Sequence, residues 1–142
     1  MMAELTLAAR WKGEHQVLDD LFGEFLMALD KADVEATRIA IEEFDTLLRR
    51  HTEREEEQVF APSAARHLGP PEEGESEEAR LFRELRLEHV QVREVSGMIL
   101  RLLSEAADLE GARRLAPNLA RRWDAHTSRE ERELPRFMSD LT

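Results

Sequence analysis

Four long segments of the chain carry apolar residues at helical spacing, separated by two tight breaks and one long one. Stripes of this kind are buried most simply against one another, which is the plan of an all-α, up-down four-helix bundle. The first segment, about 4–31, has the stripe Trp11, His15, Leu18, Phe22, Phe25 and Leu29. The second, about 33–61, opens at Asp33, a suitable N-cap, and uses Val34, Thr37, Ile41, Phe44, Leu48, His51, Glu55 and Gln58. Pro62, Gly69, Pro70, Pro71 and Gly74 mark the long break, and Ser76 followed by Glu77 and Glu78 is a capped start for the third segment, about 76–106. Leu85, His89, Val92, Ser96, Ile99, Leu103 and Ala106 form the third stripe. Ala112, Ala116, Leu119, Trp123, His126, Glu130 and Glu133 form the fourth, in a segment of about 109–134. Pro117 predicts that this last helix is kinked or starts late, because an interior proline costs about 3 kcal/mol. A length of 142 residues is expected to make one domain spanning 1–142. The low counts of 6 Gly and 5 Pro, with 42% hydrophobic and 36% charged residues, argue against disorder and an all-β fold.

Four of the five histidines fall in these stripes, and two are followed four residues later by a glutamate on the same face: His51 with Glu55, and His126 with Glu130. The spacing repeats. His15 to His51 is 36 residues and His89 to His126 is 37, and the flanks HTEREEEQVFAP and HTSREERELPRF correspond, so the chain reads as two similar helical hairpins. With turns centred near 32 and 108, the four histidines each lie 17 to 19 residues from their turn, about 26 to 28 Å down the bundle. They are therefore level, and the two glutamates lie one turn beyond. Ionised carboxylates buried without partners cost several kcal/mol each, and no lysine or arginine occupies a nearby stripe position. A bound cation resolves that cost.

With 0 Cys and 0 Tyr, the metal donors are imidazoles and carboxylates, a set suited to iron, manganese or zinc. Six such donors exceed the needs of one tetrahedral zinc and suit two ions. Ferritin-like bundles present ExxH, which does not occur here.

The pattern H, HxxxE, H, HxxxE on successive helices resembles the hemerythrin-like proteins with the HHE cation-binding domain, over nearly the whole chain. The resemblance implies a non-haem di-iron centre held by His15, His51, Glu55, His89, His126 and Glu130. It also implies a protein that binds O₂, handles peroxide or nitric oxide, or senses iron. Oxygen carriers of this kind have HxxxH on the third helix, whereas Leu85 and Arg93 stand four residues either side of His89, which argues against simple oxygen carriage. Glu56, Glu88 or Glu131, beside the stripes, are candidates for a bridging or replacement ligand.

The function expected is thus a non-haem di-iron protein that binds or reacts with O₂, peroxide or NO. Peroxide or NO turnover is its enzymatic version, and an iron- or oxygen-sensing module without turnover is the alternative. Trp11 and Trp123, one turn before His15 and His126, are expected to wall the centre or simply to pack the core. His67, in the Pro/Gly break, is excluded from it. A net charge of −11 without a basic patch argues against nucleic acid. No apolar run spans a bilayer and the N-terminus has no leader pattern, so a cytoplasmic protein without membrane partners is expected.

Overall fold

In a computed structural model, which describes residues 6–62, 74 and 76–138, the four stripes become four helices packed side by side. They are α1 (Leu7–Asp30), α2 (Val34–Glu55), α3 (Glu77–Ala106) and α4 (Leu109–Glu133), with a π-helical turn at Glu56–Phe60 and a short α5 at Pro135–Met138. Each hairpin packs internally, α2 lies on α3 and α1 on α4, which closes an up-down bundle. The long break between residues 62 and 76 falls mostly outside the described residues, as does His67.

Local chemistry sets the ends. Thr6, Asp33, Ser76 and Asp108 cap the four helices by accepting from backbone N–H groups three residues on. Both tight turns reverse through an alanine in the left-handed region, Ala32 (φ 57°) and Ala107 (φ 49°), each directly followed by the capping aspartate. Gly111 lets the second cap close, since a Cβ there would meet the Asp108 carboxylate. The late start of the fourth helix is corrected: Asp108 nucleates it and the helix continues through Pro117.

The first stripe is buried throughout, and the others largely so. Departures lie at the ends, where Ala106 is exposed and Gln58 gives way to Val59 and Phe60. The wider π turn swings those two residues inward together, and Phe60 stacks on Phe82 (4.9 Å between ring centroids) and His89 (5.6 Å). The core is divided in two. One apolar cluster, including Leu18, Phe44, Leu48, Val92 and Trp123, fills the half toward the tight turns. The other, including Trp11, Phe60, Leu85 and Leu134, fills the opposite end. Between them lies a buried polar layer.

Candidate metal centre

Helical periodicity puts one histidine of that layer on each long helix, and the equal depth predicted from the sequence brings all four rings to one level. His15, His51, His89, His126, Glu55 and Glu130 are each no more than 2% exposed. Each glutamate reaches both hairpins. Glu55 lies 2.9 Å from His51 Nε2 through Oε2 and 2.7 Å from His89 Nε2 through Oε1. Glu130 lies 3.1 Å from His126 Nε2 through Oε2 and 3.3 Å from His15 Nε2 through Oε1. Two four-donor groups result: His15, His51, Glu55 and Glu130, and Glu55, His89, His126 and Glu130. Within each, the donor atoms lie within 4.8 Å of one another, and both glutamates belong to both groups.

The far side of every ring is held as well. Nδ1 of His51 lies 2.8 Å from Glu14, that of His126 2.7 Å from Glu88, that of His15 3.2 Å from Glu131 and that of His89 3.3 Å from Glu56. A neutral imidazole that donates Nδ1–H outward keeps its Nε2 lone pair directed inward, as a metal ligand requires. Glu56, Glu88 and Glu131 each contact a histidine Nδ1 on the outer side of the layer, while Glu55 and Glu130 belong to both inner donor groups. Glu14 was not expected from the sequence. Its signal was the repeated dipeptide Glu14-His15 and Glu88-His89, matched by Glu55-Glu56 and Glu130-Glu131.

The electrostatics of the layer are dominated by its two buried carboxylates. Burial pulls the His15 imidazole down, but hydrogen bonding to Glu130 and Glu55 outweighs this and lifts it to about 10. The same opposition lifts His89 to about 11, and lifts His126, through the charge of Glu130, to about 9. His51 is raised too, against burial, by the Glu55 charge and the Glu14 hydrogen bond. Burial pushes the Glu55 carboxyl up, yet Glu130, His51 and His15 hold it well below its ordinary range. The carboxylates thus attract positive charge into a buried site. Even so, Nε2 of His15, His51 and His126 and Oε1 of Glu55 and Glu130 meet one another only as ion pairs, without well-aligned hydrogen bonds. Buried donor and acceptor atoms that converge on a common centre without aligned hydrogen bonds are costly in an apolar core and fit bound cations.

Trp11 and Trp123 take different roles. Trp11 Nε1 donates to Glu55 Oε2 at 2.5 Å, so this indole holds a member of the layer, while Trp123 Nε1 donates away to Asp19 at 2.7 Å. Trp123 nevertheless roofs the layer, with its ring 6.0 Å from that of His15. Arg93 turns out toward Thr52 Oγ1.

The Hemerythrin HHE cation binding domain family matches residues 6–138. The chain belongs to this family. No curated protein and no solved structure gives a significant match. Hemerythrin HHE membership and the buried His/Glu layer together mark a metal-binding bundle, and among the described residues no helix is long and apolar enough to cross a membrane.

Removing an outer carboxylate tests the orientation argument. Glu14→Gln and Glu88→Gln are expected to weaken metal binding about 10- to 100-fold, the usual effect of losing a partner that orients a ligating histidine. Glu131, 47% exposed in its side chain, is expected to matter less. Competition against a chromophoric chelator measures this; unchanged affinity in both variants would mean that packing alone orients the rings.

Proposed function

We propose that the hemerythrin HHE layer holds two iron ions and that this di-iron centre binds or reacts with O₂, peroxide or NO. The observation that carries the reading is the pair of four-donor groups sharing Glu55 and Glu130. His15 and His51 would hold one ion, His89 and His126 the other, and the two glutamates both. Nitrogen and oxygen donors without sulfur suit iron, and also manganese or zinc. When bound, such ions supply Lewis acidity and, for iron, redox chemistry at positions the protein leaves open. The chain's own part is to orient four imidazoles, exclude water with the two apolar clusters, and offset the ionic charge with carboxylates.

The other candidate acid–base groups near the layer are Glu14, Glu56, Glu88 and Glu131. Each touches a histidine Nδ1, so turnover of peroxide or NO, if present, would draw on the ions and on protons held at these outer pairs. A sensing role is the second reading. It is favoured by the way both glutamates join the hairpins, so that occupancy would tighten all four helices at once. We place the protein in the cytoplasm and read residues 1–142 as one domain.

Purified protein loaded with ferrous iron under anaerobic conditions is expected to hold close to two ions per chain and to gain near-UV absorption on exposure to air. Peroxide turnover by the loaded protein then separates the enzymatic reading from the sensing one. Saturation by a single ion, or by zinc with iron excluded, would overturn the di-iron reading.

A further inference from the structure

The two hairpins share one design around the layer, and in the first of them a cavity opens beside it. We propose that the crevice between α1 and α2 is a binding site for a small amphipathic carboxylate, with its chain along the apolar wall and its charged head at Arg10. The crevice encloses about 520 Å³ between the two helices and reaches His51 and Glu55 at its floor. Diatomic ligands need a small fraction of that volume, which falls in the usual range for organic ligands, about 300 to 1,000 Å³.

The internal repeat shows what has been changed to make it. His15 to His89 is 74 residues and His51 to His126 is 75, which fixes the corresponding positions on each helix. Between α3 and α4 the seam is latched twice. Arg122 donates to Gln91 at 3.1 Å, and Arg129 is clamped by Glu84, Glu88 and Glu133. In the first hairpin the Gln91 and Arg122 positions are Val17 and Leu47, which cannot bridge and instead form apolar wall. Leu87 corresponds to Gly13, where an added Cβ would meet nothing within 4 Å. Arg54, the counterpart of Arg129, keeps one carboxylate partner, Glu14 at 2.6 Å, because Glu84 and Glu133 are replaced by Arg10 and Gln58.

These substitutions decide the ligand class. They remove two latches and add a cation in place of an acid, leaving Arg10 on the crevice rim without an ion pair among the described residues. Arg10, Gly13 or Glu14, and Val17 follow one another along one face of α1. Arg10 to Val17 spans about 10 Å of helix, the length of an eight-carbon chain. An aliphatic tail against Val17 and Leu47 with its carboxylate at Arg10 matches wall, length and charge together.

Octanoate and the uncharged 1-octanol are the probes, titrated by calorimetry into the full chain with and without iron. Octanoate is expected to bind one per chain in both forms, at least tenfold more tightly than 1-octanol. Gly13→Leu, which restores the residue of the other hairpin at an open helical position, should weaken both probes at least tenfold with the helical circular dichroism retained. Arg10→Glu should weaken octanoate at least tenfold and leave 1-octanol within twofold, and Leu87→Ala on the opposite hairpin should change neither. No saturable binding, indifference to Gly13→Leu, or octanoate affinity unmoved by Arg10→Glu would each overturn the proposal. The crevice does not depend on the di-iron reading, because iron content is measured on the same samples and octanoate binding is expected without metal.

Discussion

Chelating the metal from iron-loaded protein is expected to lower its melting temperature by about 10 to 15 °C. A ligand that binds only the folded state stabilises it by RT ln(1 + [L]/Kd), about 4 kcal/mol at a thousandfold excess, and each kcal/mol shifts the melting of a domain this size by about 3 °C. The metal-free protein keeps four imidazoles and two carboxylates between two apolar clusters, several of their inward atoms paired only by charge and without aligned hydrogen bonds. Its pH dependence follows from the same groups. His15, His89 and His126, raised to between about 9 and 11 from an ordinary 6.5, contribute stability that is complete below pH 6.5 and is lost as pH rises through their folded values. Glu55, held low, contributes stability above its ordinary 4.5 that is lost as pH falls through its folded value. Metal-free protein is therefore most stable between about pH 4.5 and 6.5. The loaded protein requires neutral imidazoles, gains affinity as pH rises, and releases protons on loading. The gap between the two melting curves should widen from pH 6 to pH 9, and replacing all six residues with apolar ones should remove the need for metal. Equal melting temperatures with and without chelator would show that the layer is satisfied by its own hydrogen bonds.

Periodicity and depth made most of this architecture legible. Because the tight turns at Ala32 and Ala107 are followed by equivalent capping aspartates, counting residues from them sufficed to bring His15, His51, His89 and His126 to one level. Where the counting failed, the backbone changed period. The π turn after Glu55 inserts a residue's worth of rotation, which a 3.6-residue repeat cannot foresee, and so Phe60 replaced Gln58 against the core. Pro117 misled in a different way: its local cost is real, but Asp108 and the buried Ala112, Ala116 and Leu119 hold the helix on both sides of it. The contacts of the outer carboxylates with histidine Nδ1 were not legible, because each carboxylate meets a ring on a neighbouring helix. Glu14 belongs to α1 but serves His51 on α2, a relation that no periodicity within one helix contains.

Replacing Glu55 with alanine is expected to empty both halves of the centre, whereas replacing His51 should empty one. The distinction rests on geometry. Glu55 offers Oε2 to the group containing His51 and Oε1 to the group containing His89, so its loss takes each group from four donors to three. Loss of His51 leaves His89, His126, Glu55 and Glu130 complete. A direct ligand contributes more than an outer partner, whose loss alone weakens binding about 10- to 100-fold, so Glu55→Ala should retain well under one ion per chain under conditions where His51→Ala retains about one. Glu130→Ala should behave like Glu55→Ala, and His126→Ala like His51→Ala. Glu55→Ala also deprives the buried Trp11 indole of its acceptor, a loss of about 1 to 3 kcal/mol, so helical circular dichroism must accompany the metal analysis. Glu55→Gln supplies the finer control: its single carbonyl oxygen can serve one group but not both, and it should fall between the histidine and alanine variants. If Glu55→Ala retained an ion as readily as His51→Ala, the glutamates would each serve one ion, and the two hairpins would hold their metals independently.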